Sequence, residues 1–240
     1  MLEATTDIAA LQLESRFSLP PNSLGYCGKD TAPEKFKDCI VSGRCDGVAE
    51  EVANFIVLNP YLKTLANIFD LPKLSYPVVE AYWLGNDYLK KATPEHYDLL
   101  LENFSEQGVP DWLIEELKQN RPKIFIPTHL FQVLHVGVGR ASGAVPFNIA
   151  SINNCMIRWG KAEKINGDKT EVNLNSMKKE NGRYSLTMIR EAVPFNENLV
   201  PGLKINDTVV VHWNQVIKIL TPAEEKNIIG WTDEVIRSLS

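Results

Sequence analysis

Apolar residues recur along this chain at two different intervals, and the change comes near Asn148. After a polar leader through Pro20-Pro21-Asn22, Thr31-Ala32-Pro33-Glu34 predicts a helix start, with proline early and glutamate in the first turn. Phe36, Cys39 and Ile40 continue at helical spacing and stop near Gly43. Val48, Val52, Phe55 and Ile56 predict a second helix from about Gly47 to Leu58, capped by Asp46 and closed by Pro60. Further helices are expected around residues 60–69 and 77–91, and others open at Thr93-Pro94-Glu95-His96 and Pro110-Asp111-Trp112. Tyr97, Leu100, Leu101, Leu113, Ile114 and Leu117 favour packed helices over strands. The expectation is about five or six short helices around one core.

The stretch Thr128 to Val136 admits two readings, a buried helix capped by Thr128 or a strand rich in β-branched residues. Gly137 to Gly143 lacks the glycine spacing of a phosphate loop. Beyond Asn148 the period falls to two. Ile157 to Ile165 alternates with charged residues, and Asn166-Gly167-Asp168 predicts a hairpin turn. Thr170 to Leu174, Tyr184 to Ile189, Thr208 to Trp213 and Val216 to Leu220 are further strands, with Gly182 and Pro201-Gly202 marking turns. Thr221-Pro222-Ala223-Glu224 opens a final helix as a capping box. The predicted class is α+β: a multi-helix domain over 1–147, then a small antiparallel OB-like β-barrel with a C-terminal helix over 148–240.

Composition narrows the classes. With 44% hydrophobic and 23% charged residues the chain is an ordinary globular sequence. A net charge of -5 argues against nucleic acid as the main partner. No apolar run approaches a membrane span, and the acidic start Met1 to Asp7 lacks the pattern of a signal peptide, so a cytoplasmic protein is expected. In that compartment the four cysteines, Cys27, Cys39, Cys45 and Cys155, are expected as free thiols.

Residues 155–240 carry an ordered set of motifs: Cys155 leading to Gly160-Lys161, then Asn166-Gly167-Asp168, then Asn206-Asp207-Thr208-Val209-Val210-Val211-His212, then a Glu-rich helix. This order resembles the small hydrogenase-maturation chaperones of the HypC/HupF type. The resemblance implies iron held in part by a cysteine thiolate, here Cys155, with His212 beside it, and a protein partner in metallocentre assembly. The chain departs from that family in three ways: Cys155 is internal, Trp159 replaces the proline before Gly-Lys, and Trp213-Asn214-Gln215 follows the histidine. The whole chain also resembles an uncharacterised bacterial family with a Gly-Tyr-Cys-Gly motif, here Gly25-Tyr26-Cys27-Gly28, which implies no activity.

Thiolate and imidazole suit late first-row metals, and Arg158 or Lys161 beside Cys155 is placed to lower its pKa. His129 and His135 stand six residues apart, on different faces of a helix but on one face of a strand. The candidate metal ligands are therefore Cys155, His212, His135 and His129. Each also has a plainer reading as a buried thiol or a hydrogen-bonded core histidine. No nucleophile elbow and no His-Glu-x-x-His motif supports enzyme chemistry. Two metal uses remain, a carrier holding iron at an exposed edge and an enzyme enclosing its ion in a pocket. The third reading is a metal-free interaction module.

Overall fold

The first helix, α1 (Ile8–Ser23), runs through the part of the chain expected to be a polar leader. Its polar residues Glu14, Ser15, Ser18 and Asn22 are buried alongside Leu11, Leu13, Phe17 and Leu19. A helix packed on every side has no amphipathic stripe, which is why periodicity does not reveal it. Asp7 caps it by accepting from the Ala10 amide at 3.0 Å. The computed structural model describes residues 7–28 and 31–239; the leader's first residues, 1–6, and Lys29 and Asp30 beside Cys27 lie outside them.

Helices α2 (Ala32–Ser42), α3 (Val48–Ala53), α4 (Leu58–Phe69) and α5 (Tyr76–Trp83) follow. The expected helix from Gly47 to Leu58 is thus two, and Pro60 sits in the first turn of α4 rather than closing its predecessor. A proline is tolerated there because the first-turn amides have no helical acceptor. Gly47 caps α3 without help from Asp46. Cys39 and Cys45 form a disulfide and are not free thiols. Helix α2 stops at Gly43, and the chain turns back to bring the two Cα atoms within 4.4 Å.

The 77–91 segment is broken after α5, resuming as a short 3-10 turn at Asp87–Lys91. Helices α6 (His96–Gln107) and α7 (Asp111–Gln119) start close to where their Pro-containing signals stand. The ambiguous stretch after Thr128 is helical: α8 (His129–Phe131) continues as a π-helical turn, Gln132–Gly137. The Thr128 hydroxyl accepts from the Phe131 amide at 3.3 Å. Helix α9 (Ile149–Cys155), capped by Asn148, precedes the strands.

Strands β1 (Arg158–Asn166), β2 (Lys169–Glu180), β3 (Arg183–Pro194), β4 (Thr208–His212) and β5 (Gln215–Ile219) form one antiparallel sheet in the order β3-β2-β1-β4-β5. The edge strands β3 and β5 are not paired with one another, so this is an open sheet rather than the expected closed barrel. Gly160 lets β1 and β2 approach, since a Cβ there would lie 2.0 Å from the Asn173 carbonyl. Helix α10 (Pro222–Ser238) closes the chain with the expected Thr221–Glu224 capping box.

Buried residues of the helical and sheet parts form one continuous apolar cluster. Helix α1 lies against β4 and β5, and the Arg16 guanidinium donates to the Leu199 carbonyl.

Candidate metal centre

Three segments far apart in sequence deliver the site. His129 opens α8, Cys155 ends α9, and His212 is the last residue of β4. Their ligand atoms all lie within 4.8 Å of one another, and the residues are 4%, 8% and 1% exposed. The Cys155 Sγ is 3.7 Å from His129 Nε2. A tetrahedral ion with bonds of about 2.0–2.3 Å spaces its donors roughly 3.3–3.7 Å apart, up to about 1 Å closer than the metal-free set.

His212 is positioned from both sides. It precedes a two-residue turn, Trp213-Asn214, in which both residues have positive φ, 48° and 58°. This geometry suits a tight hairpin but is unusual for tryptophan. The Trp213 amide donates to the Asn154 carbonyl at 2.8 Å, tying the turn to α9 next to Cys155. From the other side, His212 Nδ1 lies 2.7 Å from the Phe17 carbonyl of α1. A carbonyl only accepts, so Nδ1 carries the proton and Nε2 is left with its lone pair. That Nε2 is buried and has no hydrogen-bond partner among the described residues.

His129 holds its proton differently. Its Nε2 is 2.8 Å from the Cys155 carbonyl and its Nδ1 is 3.0 Å from the Tyr82 hydroxyl. With no metal, Nε2 donates to the carbonyl, and the single Tyr82 hydroxyl proton lies between His129 Nδ1 and the Gln132 side-chain oxygen. Ligation through Nε2 requires the other tautomer, with Nδ1 donating to Tyr82 Oη. The Tyr82 hydroxyl then has the Gln132 side-chain oxygen to donate to, a contact already in place. The partners for both proton positions are therefore built in.

Electrostatics favour neutral ligands. Burial pushes His129 down to about 4 and His212 well below its ordinary value, helped there by His129. Both imidazoles are uncharged at neutral pH and available to a cation. Burial, with Cys27 contributing, holds the Cys155 thiol well above its ordinary value. It therefore binds metal by losing a proton. Arg158 does not lower it as expected, because its guanidinium is turned to Glu191 at 2.6 Å and to Ser176 and Asn214. Lys161 is exposed.

His135 does not join the other three candidates. Its Nε2 meets the Tyr97 hydroxyl at 2.8 Å, and its ring lies 4.8 Å from that of Phe131. The six residues from His129 wind along a helix, so the two imidazoles leave it on different sides.

The second layer is one that sequence reasoning missed. Trp83 lies 4.5 Å from His129 and 5.7 Å from His212, centroid to centroid, and stacks on Phe17 at 4.7 Å. Its indole N–H donates to Glu14 at 2.7 Å. Glu14 is fully buried, and desolvation raises its pKa to about 7 against the pull of its Ser18 and Trp83 hydrogen bonds. The one available signal was a glutamate and two serines among the apolar residues before Pro20-Pro21.

The centre opens onto a cavity of about 400 Å3 with mostly apolar and aromatic walls, including Phe55, Tyr82, Trp83 and Trp213. Among its described lining residues there is no Asp, Glu, Lys or Arg. A family model described as "Family of unknown function (DUF6390)" matches residues 7–240. No curated protein and no solved structure matches the chain.

Proposed function

We propose that this chain, which belongs to the family of unknown function DUF6390, binds one divalent transition-metal ion through His129 Nε2, Cys155 Sγ and His212 Nε2. One observation carries the reading: three buried donors converge within 4.8 Å, and one of them, His212 Nε2, is otherwise without a partner. An unpaired buried polar atom costs free energy, which a bound cation recovers. Sulfur with two imidazoles suits zinc, cobalt, copper or iron, so the donor set alone does not select among them.

Enclosure favours one of the two uses of the metal. A carrier that hands over cargo needs its ion at an accessible edge, whereas these donors are 8% exposed or less. Their position on the wall of a 400 Å3 cavity favours a resident ion that polarises or ligates a small molecule there. The helical segment supplies His129 and the segment after residue 147 supplies Cys155 and His212, which supports the two acting as opposite walls of one centre. The second reading is iron carriage of the HypC/HupF kind. Its support is that Cys155 and His212, the pair carried over by the resemblance, fall in the same cluster.

The test is elemental analysis after anaerobic purification, followed by zinc, cobalt and ferrous-iron titration of the wild type, Cys155→Ser and His212→Ala. Stoichiometric metal in the wild type and its loss in both variants is the expected result. No binding of any of the three ions to the wild type would sink the proposal.

A further inference from the structure

We propose that the cavity beside the three donors is a binding site for an uncharged, largely apolar small molecule of about two to three rings carrying a neutral O–H or N–H. The inference deepens the reading above but rests on its cavity rather than on its ion, so the two can fail separately.

Size sets the first bound. An apolar cavity of about 150 Å3 accommodates one benzene molecule. This one holds about 400 Å3, room for roughly two to three such rings. Its walls suit a flat apolar body. The Tyr26 and Trp213 rings pack together at 4.6 Å, and Phe55, Tyr82 and Trp83 supply further aromatic surface.

Charge sets the second bound. The described lining residues include no Asp, Glu, Lys or Arg, so a charged occupant would lose its water without gaining an opposite charge from the wall. Hydrogen bonds do not make up the loss, because polar side chains of the wall are already engaged within the protein. The Ser18 hydroxyl donates to Glu14, and the Asn54 amide donates to the Glu50 carbonyl. Tyr82 and Gln132 are joined to each other, and Ser142 Oγ accepts from the Ala144 amide at 3.3 Å.

Two buried side-chain atoms of the wall have no partner among the described residues, Asn22 Oδ1 and His212 Nε2. The Asn22 amide nitrogen donates to the Ser18 carbonyl at 2.8 Å, which leaves its oxygen as the free atom. Both free atoms are therefore acceptors. They suit an O–H or N–H, or at His212 an ion, and they repel the lone pairs of an anion. An ion at the three donors would add positive charge at one point, so the ligand class is read on the metal-free chain.

The experiment is a calorimetric titration of the chelator-treated full-length chain at pH 7 with three probes of one shape: 2-naphthol, 2-naphthoate and 2-(aminomethyl)naphthalene. 2-Naphthol should bind one equivalent, at least about tenfold more tightly than either charged probe. Ala141 is a partly buried residue of the cavity wall that lies outside any helix or strand. Ala141→Trp should fill the space and weaken 2-naphthol binding at least about tenfold. Should that variant unfold, the order of the three probes on the wild type still decides. No binding of 2-naphthol, equal or tighter binding of a charged probe, or unaltered binding in a folded Ala141→Trp would overturn the proposal. A cobalt titration of the same preparation separates the two readings. Binding of 2-naphthol without cobalt leaves this inference standing while the metal centre fails, and binding of cobalt without 2-naphthol does the reverse.

Discussion

The carbonyl of Phe17 and the imidazole of His212 are joined by a 2.7 Å hydrogen bond across 195 residues of chain. Within α1 the Phe17 carbonyl would ordinarily receive the amide of the residue four positions on, which is Pro21. Proline has no N–H, so the carbonyl is left open and His212 Nδ1 fills it. One covalent fact at Pro21 thereby sets the tautomer of a buried histidine and directs its free lone pair toward Cys155 and His129.

Pro21→Ala should test that link. The restored amide competes for the Phe17 carbonyl, and His212 loses the bond that orients it. Metal affinity is expected to fall about tenfold or more, the usual effect of losing a ligand's outer hydrogen bond. The metal-free protein should keep its far-ultraviolet circular dichroism. Unchanged affinity in a zinc competition assay would mean that the Phe17 bond does not tune the site.

The histidines should separate cleanly. His129→Gln is expected to abolish tight metal binding. His135→Gln should leave it intact and cost about 1 kcal/mol of stability through the lost Tyr97 hydrogen bond. Isothermal titration for binding and urea unfolding for stability check both. Loss of metal in His135→Gln would return that residue to the ligand set.

Glu14 predicts a pH dependence with a definite sign. Its folded pKa of about 7 lies above its ordinary 4.5, so the folded state holds this proton more tightly. The resulting stability is fully present below pH 4.5 and is lost as pH rises through 7. Glu14→Gln has no such titration. Its stability relative to wild type should therefore climb between pH 5 and 8, by up to about 3 kcal/mol. Urea unfolding of both proteins across that range would show parallel curves if Glu14 were not perturbed.

Metal binding should be proton-linked through the Cys155 thiol alone. Burial pushes His129 down to about 4 and His212 well below its ordinary value, so neither proton competes with metal at neutral pH. Cys155 is held well above its ordinary value, so its proton must leave. Metal affinity should therefore rise about tenfold per pH unit between 6.5 and 8.5. A flat profile would show that Cys155 does not bind as the thiolate.

Thiol counting offers a simpler check. The unreduced chain, denatured in an excess of a chromogenic disulfide reagent, should expose two thiols, Cys27 and Cys155, and four after reduction. Four without reduction would mean that Cys39 and Cys45 are free.

Where local chemistry decides structure, the sequence was legible. The period-two runs, the Asn166-Gly167-Asp168 turn and the Thr221–Glu224 box each act over a few residues, and β1, β2 and α10 form where they stand. The sheet failed to close as expected because closure depends on how far the edge strands can match, a property of the assembled sheet.

The site divides along the same line. By themselves the residues established which groups can ligate a metal, since thiolate and imidazole chemistry belongs to the side chain. They could not show that His129 joins Cys155 and His212 while His135 turns to Tyr97, because that depends on which way α8 faces the sheet. Nor could they show that a segment read as a leader is the buried helix α1, which offers Phe17 to His212 and Glu14 to Trp83. Its polar residues are satisfied only by partners brought to it from elsewhere, and burial on every side erases the hydrophobic stripe by which a helix is read.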